Sequence, residues 1–281
     1  MEERRKLVDE KTAQSNRLEA HLKVYFPQIP QWFEDIDSAL VCDLLERWPT
    51  LEKLQKVRPD VLRRFFRQHH CRNLEQIESR IQAIRGAVVA LRDAAVVEAK
   101  VEAVKVSVRL IQVLQKGIQD FDGQIREAAE KHPDFFIFES LPGAGAALAP
   151  RLLAGFGSQR ERFENANQVQ TLTGIAPVKS SSGNMCRIHF RFACPKFLRQ
   201  SFHEWAGQSI RHSSWARAYY QQQRARGKKH HAAVRALAFK WIRILFRCWK
   251  DGQAYDENIY LTALAKHNSP YGAKQVGART V

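Results

Sequence analysis

The chain has 281 residues, 44% of them hydrophobic, enough apolar mass for one large domain or two ordinary ones, which excludes wholesale disorder. Its formal net charge is +16, and the whole excess lies in one half: residues 1–139 carry 23 basic and 23 acidic side chains, residues 140–281 carry 22 and 6. The opening Met-Glu-Glu-Arg-Arg-Lys is followed by no apolar stretch, and no run is long and apolar enough for a bilayer, so neither a signal peptide nor a membrane span is expected.

The first half reads as helices. Residues 5–25 are charged and periodic, with Leu7, Leu18, Leu22 and Tyr25 on one side, and the run Phe26-Pro27-Gln28-Ile29-Pro30 breaks them. Further helices are expected over Phe33–Trp48, after Pro59 (a good first-turn residue) and over Leu74–Arg92. From Ala94 to Lys131 there is no proline, and Val104, Val108, Ile111, Leu114, Ile118, Phe121 and Ile125 step by three and four. That stripe suits a coiled-coil seam between protomers, or a helix packed within its own domain. His132-Pro133 ends the region. The reading is therefore an all-α chain in three parts: a helical connector with a long coiled-coil-like helix over 1–133, a compact helical domain over 134–265, and a disordered tail over 266–281.

The basic half carries the candidate chemistry. Between Asn165 and Lys250 the only acid is Glu204, and aromatics interleave with the arginines. A one-sign block of this length calls for a polyanion, and the aromatics favour nucleic acid over anionic lipid or a plain basic surface. Leu141-Pro142-Gly143-Ala144-Gly145 ahead of Ala146–Phe156 has the layout of a helix–hairpin–helix, in which Gly143 and Gly145 allow a tight turn and a helix start faces a phosphate. Without wider context it is equally a glycine turn between two packed helices. Lys179-Ser180-Ser181-Ser182-Gly183 follows Gly174-Ile-Ala-Pro177 and reads on its own as a flexible loop, with Lys179, Arg187 and Arg191 near enough in sequence to neutralise a phosphodiester. His203, His212, His230 and His231 are candidate bases or metal ligands, whereas Cys186, His189 and Cys194 fall short of a zinc set. The five cysteines, odd and scattered, read as reduced thiols. Over His230–Lys250, Val234, Leu237, Trp241, Leu245 and Trp249 form a core stripe, and Lys240, Arg243, Arg247 and Lys250 a basic face suited to phosphates.

In order and spacing, Leu141–Gly145, Phe156-Gly157, Leu172-Thr-Gly174-Ile-Ala-Pro177, Ser182-Gly183, Ala218-Tyr219-Tyr220, Arg226-Gly227-Lys228, Ile242-Arg243-Ile244-Leu245 and Tyr255-Asp256 resemble the C-terminal domain of the bacterial insertion-sequence transposases of the 110/116/902 family. The resemblance covers about Phe138 to Asp256, and residues 1–130 more faintly resemble the family's helical connector. It implies a site-specific recombinase that binds DNA and a structured guide RNA, works as a homo-oligomer without a membrane, and resides with the nucleoid in a bacterial cytoplasm. The family's catalytic serine lies five residues after the proline of the Gly-x-x-Pro loop and directly before a glycine, a position held here by Ser182. The nucleic-acid contacts would come from Gly143, Gly145, Lys179, Arg187, Arg191, Arg226, Lys228, Lys240, Arg243 and Arg247.

One departure stands out. Family members begin with a RuvC-like domain carrying four acidic metal ligands, and the first half here has no alternating strand–helix pattern. The expectation is a truncated or frameshifted chain with no cofactor of its own, magnesium arriving only with an acidic domain on another polypeptide. The rival expectation is a non-catalytic DNA- or RNA-binding relic or regulator in which Ser182 is a bystander.

Overall fold

A computed structural model describes residues 1–183 and 185–267; of the expected disordered tail, all but the first two residues fall outside these. The chain divides into two compact units, Met1–Gly123 and Gln124–Val281, with the division inside one long helix.

The first unit is helical: α1 (Glu2–Tyr25), α2 (Gln28–Trp32), α3 (Ala39–Arg47), α4 (Leu51–Gln55), α5 (Pro59–Gln68), α6 (Leu74–Gly86) and the start of α7 (Ala94–Glu130). Polar caps set several starts: Ser38, Thr50 and Asn73 accept the backbone N–H groups of Val41, Lys53 and Gln76. Pro59 occupies the first turn of α5, as its missing N–H allows. The Phe26–Pro30 break is brief, because Pro30 falls in the first turn of α2, where no N–H is needed. Residues 33–38 are not helical, and α6 stops at Gly86 rather than Arg92. The Gln55 amide donates to the carbonyls of Ile84 and Ala87 at 2.9 and 2.8 Å, drawing the chain off the helix path.

Helices α1 and α7 run antiparallel. The Arg4 guanidinium forks onto Asp122 at 2.6 and 2.9 Å near one end, and Lys100 meets His21 near the other. Val104, Val108 and Ile111 are fully buried with Leu18, Leu22 and Tyr25, so this part of the α7 stripe serves its own unit's core. Leu114, Ile118, Phe121 and Ile125, further along, are half-buried.

The second unit contains α8 (Phe135–Glu139), α9 (Gly145–Phe156), a 3-10 turn (Arg160–Arg162), α10 (Ala166–Leu172), the strands β1 (Val178–Ser182) and β2 (Met185–His189), then α11 (Lys196–His212), α12 (Ser214–Ala225), α13 (His230–Asp251) and α14 (Glu257–Lys266). The all-α class holds, with one antiparallel β1–β2 hairpin among the described residues where the sequence suggested a loop. The expected α13 stripe of Val234, Leu237, Trp241, Leu245 and Trp249 is buried throughout. Trp205, Trp215, Trp241 and Trp249 all sit at 0% exposure, with Trp241 5.0 Å from Trp205 and 4.5 Å from Trp215 between ring centroids. Each indole N–H has an acceptor: Trp205 the Pro142 carbonyl, Trp215 the Tyr255 hydroxyl, Trp241 the Ser209 hydroxyl and Trp249 the Gly157 carbonyl.

The Leu141–Gly145 turn rests directly on α11. Gly143 has φ +76°, and a Cβ there would lie 2.9 Å from the Gln208 carbonyl carbon and 3.0 Å from the Ser209 nitrogen. Gly143 thus answers to the protein's own helix, and the close approach that its residue type permits is intramolecular. Gly145, at φ +52°, has open space around it at the start of α9. We expect Gly143→Ala to destabilise the second unit by about 1–3 kcal/mol through backbone strain alone, with the α11 clash adding to it. Gly145→Ala should cost less. Denaturant unfolding of the two variants checks the order, and equal losses would contradict the packing role of Gly143.

Candidate nucleic-acid interface

The β1–β2 hairpin stands on a fixed base. Gly174 has φ +68°, and a Cβ there would fall 2.2 Å from the Cys194 sulfur and 3.0 Å from its Cβ, so the two ends of the hairpin touch where only glycine fits. Arg191 Nε donates to the Ala176 carbonyl at 3.3 Å across the same base, and Arg199 Nη1 donates to the Arg191 carbonyl at 3.3 Å. Beyond that base every described residue from Val178 to His189 is exposed, on both faces of the ribbon.

The register decides which side chains meet. Ser182 pairs with Met185, Ser180 with Arg187, Ser181 with Cys186 and Lys179 with Ile188. Alternation along a strand puts Ser180, Ser182 and Arg187 on one face and Lys179, Ser181 and Cys186 on the other. Ser182 therefore sits at the exposed tip with Arg187 as its diagonal neighbour. Lys179 belongs to the opposite face. Arg191 is at the base, up to about 20 Å along the ribbon from the tip at about 3.4 Å per residue. Of the three cations grouped with Ser182 by sequence, the structure brings Arg187 to it and separates the other two. The same alternation separates Cys186 from His189, and among the described residues no three His, Cys, Asp or Glu side chains converge as a metal set.

The basic face of α13 is partly engaged within the unit. Lys240 is half-buried, its ammonium 5.0 Å from the Tyr219 ring centroid and 5.6 Å from that of Trp215, and burial, then Arg243, lowers its pKa. Arg247 pairs with Asp251, and Lys250 donates to the Arg160 carbonyl at 2.8 Å. Arg243 is exposed. Lys240, Arg243 and Arg247 border an open groove of about 760 Å³ between α13 and α14, floored by Ile244, Tyr255 and Tyr260. Arg226 and Lys228 flank Gly227, at φ +83°, in the exposed turn between α12 and α13.

Sequence reasoning missed a second cationic cluster. Arg199 of α11 and Arg235 of α13 both lie over the Phe190 ring, at 4.7 and 5.0 Å from its centroid. Burial, then Arg199, lowers the pKa of Arg235. Nearby, His203 Nε2 is 3.3 Å from His231 Nδ1, and His230 Nδ1 is 2.8 Å from the Tyr220 hydroxyl. Burial, then His231 and Arg235, pushes the His203 pKa down to about 4, so its imidazole is neutral at pH 7. His212 ends α11, away from this set in sequence. Glu204, the only acid in this stretch, is held by Arg151 at 3.0 Å and by the Gln200 amide at 2.6 Å. The signal for the cluster lay in the Phe190-Arg191-Phe192 alternation, but which cations would close on it depended on how α11 and α13 pack.

Residues 137–221 match the family described as the transposase IS116/IS110/IS902 family. The chain is 27% identical over 250 residues to the "Mini-circle putative transposase for IS117" of Streptomyces coelicolor, an alignment spanning 86% of this chain and 60% of that protein. It is 32% identical over 150 residues to the "Insertion element IS900 uncharacterized 42 kDa protein" of Mycobacterium paratuberculosis, spanning 52% of this chain and 37% of the relative. Similarity to the "Insertion element IS110 uncharacterized 43.6 kDa protein" of Streptomyces coelicolor is 32% over 141 residues, spanning 49% and 34%. The chain thus covers between about a third and 60% of the length of these relatives.

The anchoring of the hairpin is open to test. Gly174→Ala should push Cys194 and Arg199 off the base and raise amide exchange over residues 175–194, while the tryptophan core keeps its protection. Hydrogen exchange by mass spectrometry reads this, and unchanged exchange in that segment would show that Gly174 is not the clasp.

Proposed function

From a chain that carries the domain of the transposase IS116/IS110/IS902 family, we propose the nucleic-acid-binding and strand-exchange half of an insertion-sequence transposase, with Ser182 as nucleophile. The observation that carries the reading is the place of Ser182: exposed at the tip of an anchored hairpin, beside Gly183, with Arg187 on its face. There a phosphodiester can approach the hydroxyl without displacing any core residue. Attack by Ser182 Oγ forms an Oγ–P bond while the bond from phosphorus to one deoxyribose oxygen breaks. The serine proton leaves, the departing oxygen is protonated, and Arg187 faces the charge that builds on the phosphoryl oxygens. DNA, a structured guide RNA and further copies of the chain are the partners this reading entails. In this reading magnesium would arrive only with an acidic domain on another polypeptide.

A second reading has an observation of its own. Among the described residues no imidazole or carboxylate is hydrogen-bonded to Ser182, so nothing there prepares the hydroxyl for attack. On that ground the chain would be a binding protein, its basic surface engaged and its serine idle.

Two measurements test these readings, and the second separates them. Affinity for duplex DNA and for structured RNA should fall steeply with salt, on the order of a thousandfold between 50 and 200 mM if six or more phosphates are neutralised. Absence of binding at low salt would refute both readings. Ser182→Ala should leave that affinity within about twofold, since affinity comes from many phosphate contacts. Supplied with an acidic metal-binding domain in trans, it should form no covalent protein–DNA adduct, whereas Ser181→Ala should. An adduct that persists in Ser182→Ala removes the nucleophile assignment, and no adduct from the unsubstituted protein favours the binding protein.

A further inference from the structure

The stretch that runs on from β2 carries an aromatic the strand-exchange chemistry does not use. Ile188, Phe190 and Phe192 alternate along it. Ile188 is 74% exposed and Phe192 is 79% exposed, while Phe190 is tucked under Arg199 and Arg235. The rings of Phe190 and Phe192 meet edge to face, with centroids 5.2 Å apart and planes at 74°. The segment is held rather than loose: Arg199 grips the Arg191 carbonyl, and Cys194 is lodged against Gly174. A phenylalanine this exposed on a fixed backbone forgoes most of the burial that normally places the residue inside. Next to it, Arg199 and Arg235 lie over the Phe190 ring, and the one acid in the stretch, Glu204, is already neutralised by Arg151.

We propose that Phe192 is a stacking platform for an unpaired nucleobase, with Arg199 and Arg235 drawing the adjoining phosphates. This rests on the nucleic-acid reading above and deepens it. The ligand that combines an apolar flat face with flanking negative charge is a nucleotide. Within a duplex the base faces are covered by their neighbours, so only a single-stranded or splayed segment presents one to Phe192. Phe190 fixes the orientation of the platform, because the two guanidiniums over its ring and the edge contact with Phe192 form one continuous assembly. The hairpin would thus hold a melted strand at its base while Ser182 meets a phosphodiester at its tip, within a span of a few nucleotides.

The test uses the full chain and three probes: a 20-nucleotide single strand, the duplex of the same sequence, and a strand of equal length with abasic sugars at its centre. The unsubstituted protein should favour the intact strand over the abasic one. Phe192→Ala should weaken intact-strand binding by about five- to a hundredfold, erase the preference over the abasic strand and leave duplex affinity within twofold. Phe192→Trp should restore the preference, and melting temperatures should be unchanged because the ring is exposed. Equal loss on all three probes, or none, would overturn the platform. So would a change of oligomeric state in Phe192→Ala on sizing, which would make the face a contact between copies of the chain. Failure of the unsubstituted protein to bind any probe at low salt would instead bring down the nucleic-acid reading itself, and the platform with it.

Discussion

The second unit depends on a requirement that four indoles impose. A buried Trp supplies more apolar area than any other side chain, but its N–H must be matched or its burial costs on the order of 1–3 kcal/mol. Here the four acceptors are the Pro142 carbonyl, the Gly157 carbonyl, the Ser209 hydroxyl and the Tyr255 hydroxyl. Two belong to loops bordering α9, one to α11 and one to the segment before α14. Matching the indoles therefore draws the ends of α9, the body of α11 and the chain after α13 around one core. The Leu141–Gly145 turn is fixed by the same condition, since the carbonyl that serves Trp205 lies beside the glycine seated on Gln208 and Ser209.

That rigid centre gives the hairpin something to stand on. Its described residues are all exposed, so its position comes from its base: the Gly174–Cys194 contact, Arg191 on Ala176 and Arg199 on Arg191. Arg199 and Phe202 share α11, and Phe202 is packed into the aromatic core with Phe156 and Trp205. The chain of contacts from core to ribbon is thus short. A site on such a ribbon can be exposed for a large polyanion and still have a defined location, which a loop of the same length would lack.

What the sequence made legible follows from this division. The stripes of α1, α7 and α13 could be read because one face of each is buried, and burial imposes a period near 3.6. Proline punctuation could be read because it acts locally. The hairpin could not, because a strand exposed on both faces carries no alternation of apolar and polar residues; Val178-Lys-Ser-Ser-Ser182 looks like a loop. Its trace was the Gly183-Asn184 pair, a two-residue hairpin signal. The basic face of α13 was legible as a face, but its engagement was not. Whether Lys240 reaches solvent or lies over Trp215 and Tyr219 depends on α12, which packs there for reasons written elsewhere in the chain. The Arg199–Phe190–Arg235 cluster was hidden likewise, since its members come from three separate segments.

The pleat also bears on the three consecutive serines. Cross-strand neighbours have Cβ atoms about 5 Å apart and diagonal ones about 7–8 Å, so a long guanidinium at Arg187 can serve a phosphate facing either Ser180 or Ser182. It cannot serve one facing Ser181, whose side chain leaves the opposite face beside Cys186. Between the two on the right face, Ser180 is directly opposite Arg187 and is hemmed in by strand on both sides. Ser182 is followed by Gly183, with no side chain there to obstruct an incoming strand and, at φ +53°, a backbone that turns away. Ser182, the position that the family resemblance singles out, thus combines an arginine on its own face with a glycine directly beside it.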